Sequence, residues 1–272
     1  MLWNTNHGDV AIGNTKMSYV SFGRGERVFI ILPGLSDGLA TVRGKALLLA
    51  KPYKPFFEQF TVFMFSRKDE MVTGYSIQDM ATDQAEALRQ LGIRKASVMG
   101  VSQGGMIAQC LAIDHPELVE TLVLAVTAPS VNEIIESCVK RWIALAEQGN
   151  HKALMIDTAE KGYSEAYLQK FRKIYPVIGA IGKPKSYDRF LVNARAILGF
   201  SAREELDQID CPTLVIGGAE DQTVGIQASY ELHERIHGSQ LHVYQDFGHA
   251  AYEEAKDFNE RVLAFLEASA SG

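Results

Sequence analysis

The sequence has little cysteine and no excess of positive charge, and each shortage excludes something. Three cysteines (Cys110, Cys138 and Cys211), odd in number and far apart, make neither a disulfide framework nor a zinc site. Each therefore reads as a small buried residue, and the compartment as a reducing cytoplasm. With 27 Lys and Arg against 33 Asp and Glu, the net charge of −6 leaves no basic footprint for nucleic acid and no polybasic attraction to a membrane. No apolar run approaches the ~20 residues that span a bilayer. The stretch from Met1 to Asp9 has neither the basic nor the apolar region of a secretory leader. Repeats and low-complexity segments are missing too, and only the small tail Ala268-Ser269-Ala270-Ser271-Gly272 is expected to fray.

What is present is ordinary for a globular chain: 47% apolar and 22% charged residues over 272 positions. That length suits one large α/β domain, or one such domain with an inserted lid. Val10-Ala11-Ile12, a Gly13-Asn14 turn and Met17 to Phe22 read as an opening antiparallel pair. Val28 to Leu32 is a continuous apolar run of the kind buried on both faces of a parallel sheet. Thr61 to Phe65 is the next strand, after a mixed stretch in which Pro52 and Pro55 forbid a long helix. Ser76 and Asp79 resemble a capping box before a helix that gathers Ile77, Met80, Ala81, Ala85, Leu88 and Leu91 on one face, with Gly92 as its stop. Strands follow at Ala96–Met99 and Thr121–Val126.

From about Ala128 to Arg203 the alternation stops and helical patterning takes over: Val131–Gln148, Lys152–Ala159, Ser164–Tyr175 and Tyr187–Leu198, with Pro176 and Pro184 in the breaks. Alternation resumes with strand Thr213–Gly217, helix Ile226–His237 closed by Gly238, strand Leu241–Tyr244 and a last helix over Phe258–Leu266. The pattern divides the chain into a core of 1–127 and 204–272 and a helical cap of 128–203 lying over the strand ends.

The chemistry points to Gly100-Val101-Ser102-Gln103-Gly104, followed by Gly105. An apolar strand precedes it and a helical segment, Met106–Ile113, follows, so Ser102 stands at the apex of a strand-turn-helix. A serine on such a strained turn leaves no room for side chains two residues to either side, hence the glycines. The turn also sets the hydroxyl at the positive end of a helix, where negative charge is stabilised.

This order of parts, over nearly the whole chain, resembles the α/β-hydrolase fold: a mostly parallel central β-sheet flanked by helices, with a helical cap inserted after strand 6. The resemblance implies a nucleophile, acid, histidine order. Ser102 is then the nucleophile. Asp221, in Gly217-Gly218-Ala219-Glu220-Asp221 directly after a strand, is the acid, with Glu220 and Asp246 as rivals and a turn-forming or N-cap aspartate as its plain structural role. His249, in Asp246-Phe247-Gly248-His249, is the general base; of the seven histidines it alone stands just past the last strand. His233 and His237 are one helical turn apart but lack a third ligand, so they read as a solvated face. The backbone N–H groups of Leu35 and Gln103 are implied as the oxyanion hole.

The sequence departs from the family in two places. Pro33-Gly34 stands where many relatives carry His-Gly, and Ser66-Arg67-Lys68-Asp69-Glu70 replaces an acidic and basic glycine-rich turn. The second reads as a solvated charged loop, with Arg67 organising the mouth of the site as the alternative. Serine rather than aspartate at position 102 disfavours haloalkane dehalogenases and epoxide hydrolases. The run from Gly100 to Ala108 looks most like the esterase and enol-lactonase branch. The implied activity is hydrolysis of a small ester or lactone with no cofactor and no metal. Carbon–carbon bond hydrolases, thioesterases and perhydrolases are alternatives, and a ligand-binding receptor on the same fold is an alternative of another class. Trp142, Ile143, Phe171, Ile174, Tyr175, Tyr187 and Phe190 are candidates to line an apolar pocket, but at helical spacing each reads first as packing the cap onto the core, and only a subset is expected to face the substrate. Oligomeric state is not legible.

Overall fold

The structure, a computed structural model, describes residues 2–178 and 182–270. Its backbone is an eight-stranded sheet in the order β1-β2-β4-β3-β5-β6-β7-β8. The strands are β1 (Asn6–Ile12), β2 (Thr15–Gly23), β3 (Arg27–Leu32), β4 (Phe60–Lys68), β5 (Ala96–Val101), β6 (Val119–Ala125), β7 (Thr213–Gly218) and β8 (Gln240–Tyr244). β1 pairs antiparallel with β2, and β2 antiparallel with β4; every other neighbouring pair is parallel. The strands expected from apolar runs are all present, most of them a residue or more longer than the apolar segment that marks them. All six residues of β5 and of β7 are buried, as continuous apolar runs require when helices cover both faces.

Helices α1 (Ala46–Ala50), α2 (Ile77–Gln90) and α3 (Gln103–Asp114) lie before the long excursion, and α9 (Ile226–Arg235), α10 (Ala251–Glu254) and α11 (Phe258–Ser269) after it. The sheet separates two apolar clusters. One packs Ile30, Val98 and Leu122 against Met80 and Leu88 of α2 and Ile107 and Leu111 of α3. The other packs Phe29, Ile31 and Val123 against Phe56, Phe258 and Val262. Ser76 caps α2 with a reciprocal box to Asp79, and Gly92 leaves the helix end at φ +70°. α11 runs through Ser269, so the tail is helical further than expected, because Phe265 and Leu266 anchor it; Ser271 and Gly272 lie outside the described residues.

Between β6 and β7 the chain forms α4 (Glu133–Glu147), α5 (His151–Gly162), α6 (Glu165–Phe171), α7 (Tyr175–Ile178) and α8 (Asp188–Leu198). The two ends of the excursion meet in a bridge between Ser130 and Ser201. Pro176 does not break the helical pattern here. It is the second residue of α7, where the missing N–H has no helical partner to lose. No helix among the described residues is long and apolar enough to cross a membrane.

β3 lies between β4 and β5, so the chain leaves β3 to one side and returns on the other. Such a reversal opens a crevice at the carboxyl ends of the two central strands. The loop after β3 and the turn after β5 share that crevice: a Cβ built on Gly34 would stand 3.3 Å from Ser102 Cβ.

Candidate active site

Ser102 follows β5 at φ 54° and ψ −120°, a left-handed conformation that a side chain other than glycine adopts only at a cost. Its neighbours hold it there. The Ser102 backbone N–H donates to the Ala125 carbonyl at 2.9 Å, and its own carbonyl accepts from the Thr127 hydroxyl at 2.7 Å. The glycines are required by close backbone approach. A Cβ at Gly100 would lie 2.3 Å from the Gly104 carbonyl oxygen, and one at Gly104 would lie 1.9 Å from that of Leu32. At Gly105 it would strike Thr127 at 2.6 Å. Gly104→Ala therefore has no slack to use, since the obstruction is backbone of a central strand. A loss of about 3 kcal/mol or more is expected in urea unfolding, in the range of severe core changes; a variant within 1 kcal/mol of wild type would refute this packing.

His249 lies in the loop between β8 and α10, and Asp221 in the loop between β7 and α9. Its Nε2 is 2.9 Å from Ser102 Oγ, and its Nδ1 is 2.8 Å from Asp221 Oδ2. The three residues come from positions 102, 221 and 249 and form one line of hydrogen bonds. The two oxygens of Asp221 have different partners: Oδ2 meets the histidine while Oδ1 accepts from Thr223 N and Val224 N at 2.8 and 2.9 Å, as a turn-forming aspartate does. It is not an N-cap, since that position before α9 is Gly225. Burial works to raise the Asp221 carboxyl. The charge and hydrogen bond of His249, with the Val224 and Thr223 N–H groups, outweigh burial and hold it below its ordinary value. Glu220 and Asp246 are exposed, whereas Asp221 is buried.

The helices of the excursion touch each loop of this site. Asn132 Nδ2 donates to the Val224 carbonyl, and Cys138 Sγ reaches the Gln222 carbonyl, both in the Asp221 loop. The Ala250 N–H, next to His249, donates to Gly162 O at 2.8 Å. Gln103 Nε2 donates to Asn193 O in α8 at 2.8 Å. None of these contacts has a local sequence signal, because each joins segments dozens of residues apart. Cys110 and Cys138 are buried as expected; Cys211 is only partly so. His233 Nδ1 sits 2.9 Å from Ser239 Oγ, which gives that ring a plain structural partner.

One expectation fails. Ser66 and Arg67 are not part of a solvated loop, because β4 continues to Lys68 and carries both inward. Arg67 is 4% exposed and donates from Nη2 to Gln103 Oε1 at 3.1 Å. Charge density alone suggested solvent; the partners that reward burial, Asp37 and Gln103, are remote in sequence. Of the apolar cap candidates, Trp142 and Phe190 are buried, with Trp142 Nε1 donating to Asp157 and Phe190 packed on Gly38. Ile143 and Tyr187 are partly buried. Phe171 stacks on Tyr167, and Ile174 is exposed.

Residues 28–256 match the alpha/beta hydrolase fold family. The chain belongs to that family. Among curated relatives it is 24% identical to 3-oxoadipate enol-lactonase 2 of Acinetobacter baylyi over 259 residues, covering 92% of this chain and 93% of the other. It is 27% identical to 2-hydroxy-6-oxononadienedioate/2-hydroxy-6-oxononatrienedioate hydrolase 2 of Pseudomonas putida, covering 93% and 92%. Among solved structures, MGS-M2, an alpha/beta hydrolase enzyme from a Medee basin deep-sea metagenome library, superposes with a TM-score of 0.85 at 19% identity, covering 96% of this chain and 97% of that one. These relatives and this fold neighbour are hydrolases, and this α/β hydrolase is an enzyme of that class.

Proposed function

We propose that this α/β hydrolase cleaves a small carboxylic ester or lactone through an acyl-enzyme, with Ser102, His249 and Asp221 as its catalytic triad. The observation that carries the reading is the line Asp221 Oδ2, His249 Nδ1, His249 Nε2, Ser102 Oγ, with both links under 3 Å at 2.8 and 2.9 Å. His249 Nε2 takes the proton of Ser102 as Oγ attacks the carbonyl carbon. The oxyanion is received by the backbone N–H groups of Leu35 and Gln103. Gly34 beside Ser102 supports this assignment, because it brings the loop after β3 against the nucleophile without a side chain between them. The imidazolium, steadied by Asp221, then protonates the leaving alkoxide, which departs as the alcohol or, from a lactone, stays tethered to the acyl group. Water repeats the cycle: His249 removes its proton, hydroxyl adds to the acyl carbon, and Ser102 Oγ leaves with the returned proton.

The helices over 128–203 act as the cap of this site. Their contacts to the loops that carry Asp221, His249 and Gln103 support a cap that shapes and fixes the site. The enol-lactonase relative supports a lactone or ester substrate. A second reading, hydrolysis of a carbon–carbon bond next to a carbonyl, is supported by the Pseudomonas putida relative and uses the same residues.

The test is turnover by the purified protein on short and long p-nitrophenyl esters, five- and six-membered lactones and a vinylogous 1,5-diketone, alongside labelling by a fluorophosphonate. Many turnovers on short esters or lactones are expected. Turnover on the diketone alone would move the reading to carbon–carbon cleavage. Stoichiometric labelling of Ser102 with no turnover would show a live nucleophile whose substrate is none of these compounds, and neither labelling nor turnover would favour a binding protein instead.

A further inference from the structure

Behind the nucleophile, and outside the triad, lies a cluster of buried charge. Asp37, in the 3-10 turn Leu35–Gly38, is 3% exposed and Arg67, near the end of β4, is 4% exposed. Asp37 Oδ2 accepts from the Arg67 backbone N–H at 2.9 Å and from Arg189 Nη2, on α8, at 2.6 Å. Arg189 also donates to the carbonyls of Asp37 and Arg67, the latter at 2.8 Å. The Arg67 guanidinium lies 3.8 Å from Asp37 Oδ2 through Nη1, too far for a hydrogen bond, and spends its one good bond on Gln103 Oε1. The Gln103 side chain is thus held at both ends, by Arg67 of the core and by the Asn193 carbonyl of α8.

A staple between α8 and the core needs only Asp37 and Arg189, which already form a short ion pair. A second buried arginine, whose Nε and Nη1 find no hydrogen-bond partner among the described residues, costs desolvation that the staple does not need. The cluster carries two guanidinium groups and one carboxylate. Burial pushes the Arg67 guanidinium down to about 10, with Asp37 opposing and Arg189 adding to that shift, so it is cationic at neutral pH. The residues that the cluster grips are also particular: the turn that begins at Leu35 and the residue directly after Ser102.

We propose that Asp37, Arg67 and Arg189 form a buried brace that sets the two halves of the oxyanion site relative to each other, Asp37 through the turn of Leu35 and Arg67 through the side chain of Gln103. The inference rests on the serine-hydrolase reading above. These are positioning residues: none touches the reacting atoms, and each acts through the backbone N–H of Leu35 or Gln103. Preorganised donors work only when aimed at the oxyanion, and misplacement by about 1 Å can cost about a hundredfold in rate.

The experiment is a cycle of Arg67→Met, Gln103→Met and the double variant, assayed on the best ester substrate of the wild type. Arg67→Met leaves the Asp37–Arg189 pair balanced, and Gln103→Met keeps the backbone donor. Each single variant is expected to lose about 10- to 100-fold in kcat with KM within about threefold. Affinity for an arylboronic acid, which becomes a tetrahedral adduct on Ser102, should weaken by a similar factor. The double variant should be little worse than the poorer single one, since both remove the same bond. A folded single variant with kcat within twofold of wild type, unchanged boronic acid affinity, or losses that multiply in the double variant would each overturn the brace. Should Arg67→Met fail to fold, Gln103→Met alone decides by the first two criteria. Wild-type turnover that survives Ser102→Ala would overturn the hydrolase reading and the brace with it, whereas serine-dependent turnover with indifferent variants would overturn the brace only.

Discussion

Ser102→Ala is expected to lower kcat by roughly 10⁴- to 10⁶-fold while the fold stays intact, the scale on which removal of a triad nucleophile acts elsewhere. The substitution deletes one atom, the Oγ that stands 2.9 Å from His249 Nε2. It leaves the backbone that makes the turn. Ser102 is held at φ 54° by its own N–H and carbonyl, through Ala125 and Thr127, and not by its side chain, which makes no helix cap. Alanine tolerates that conformation about as poorly as serine does, so the thermal midpoint should move by only a few degrees. Steady-state kinetics on the wild type's best ester, beside a thermal melt, make the check. Residual activity above about one per cent, in protein free of wild-type contamination, would show that Oγ is not the attacking atom.

Asp221→Asn should cost about 10⁴-fold in kcat, whereas Glu220→Gln should cost less than about twofold. The asparagine keeps a carbonyl oxygen for Thr223 N and Val224 N, so the loop retains its two backbone bonds. Its amide NH₂, however, then faces His249 Nδ1, which must become an acceptor. That puts the imidazole proton on Nε2, pointing at Ser102, where a base is needed. The loss is thus one of tautomer and of imidazolium stabilisation, with little change in shape. Measurement of kcat for both variants separates the neighbouring carboxylates. A larger effect at the exposed Glu220 would move the acid by one residue and contradict the 2.8 Å contact of Asp221 with His249.

The same contrast shows what a linear sequence carries. The strained turn at Ser102 is legible because its constraint is local. Gly100, Gly104 and Gly105 surround Ser102 within three residues either way, and backbone that must pass within contact distance of backbone admits no Cβ. The strands of the parallel core are legible because burial on both faces demands unbroken apolar runs, as in Val28 to Leu32. The start of α2 is legible because Ser76 and Asp79 satisfy one another three residues apart. Order along the chain also pointed to Asp221 and His249, through the resemblance to a known fold and not through any local necessity.

Tertiary structure decided the rest. Burial separates Asp221 from Glu220 and Asp246, which composition cannot rank. Ser66-Arg67-Lys68 reads as a solvent-facing charged run until β4 is extended by its pairing with β2 and the run is carried into the interior. Arg67 then finds Asp37 thirty residues before it and Gln103 thirty-six residues after it. Local patterning reports the backbone's own requirements over a few residues. A buried charge is decided by partners from separate elements, which only the folded chain brings within a hydrogen bond of each other.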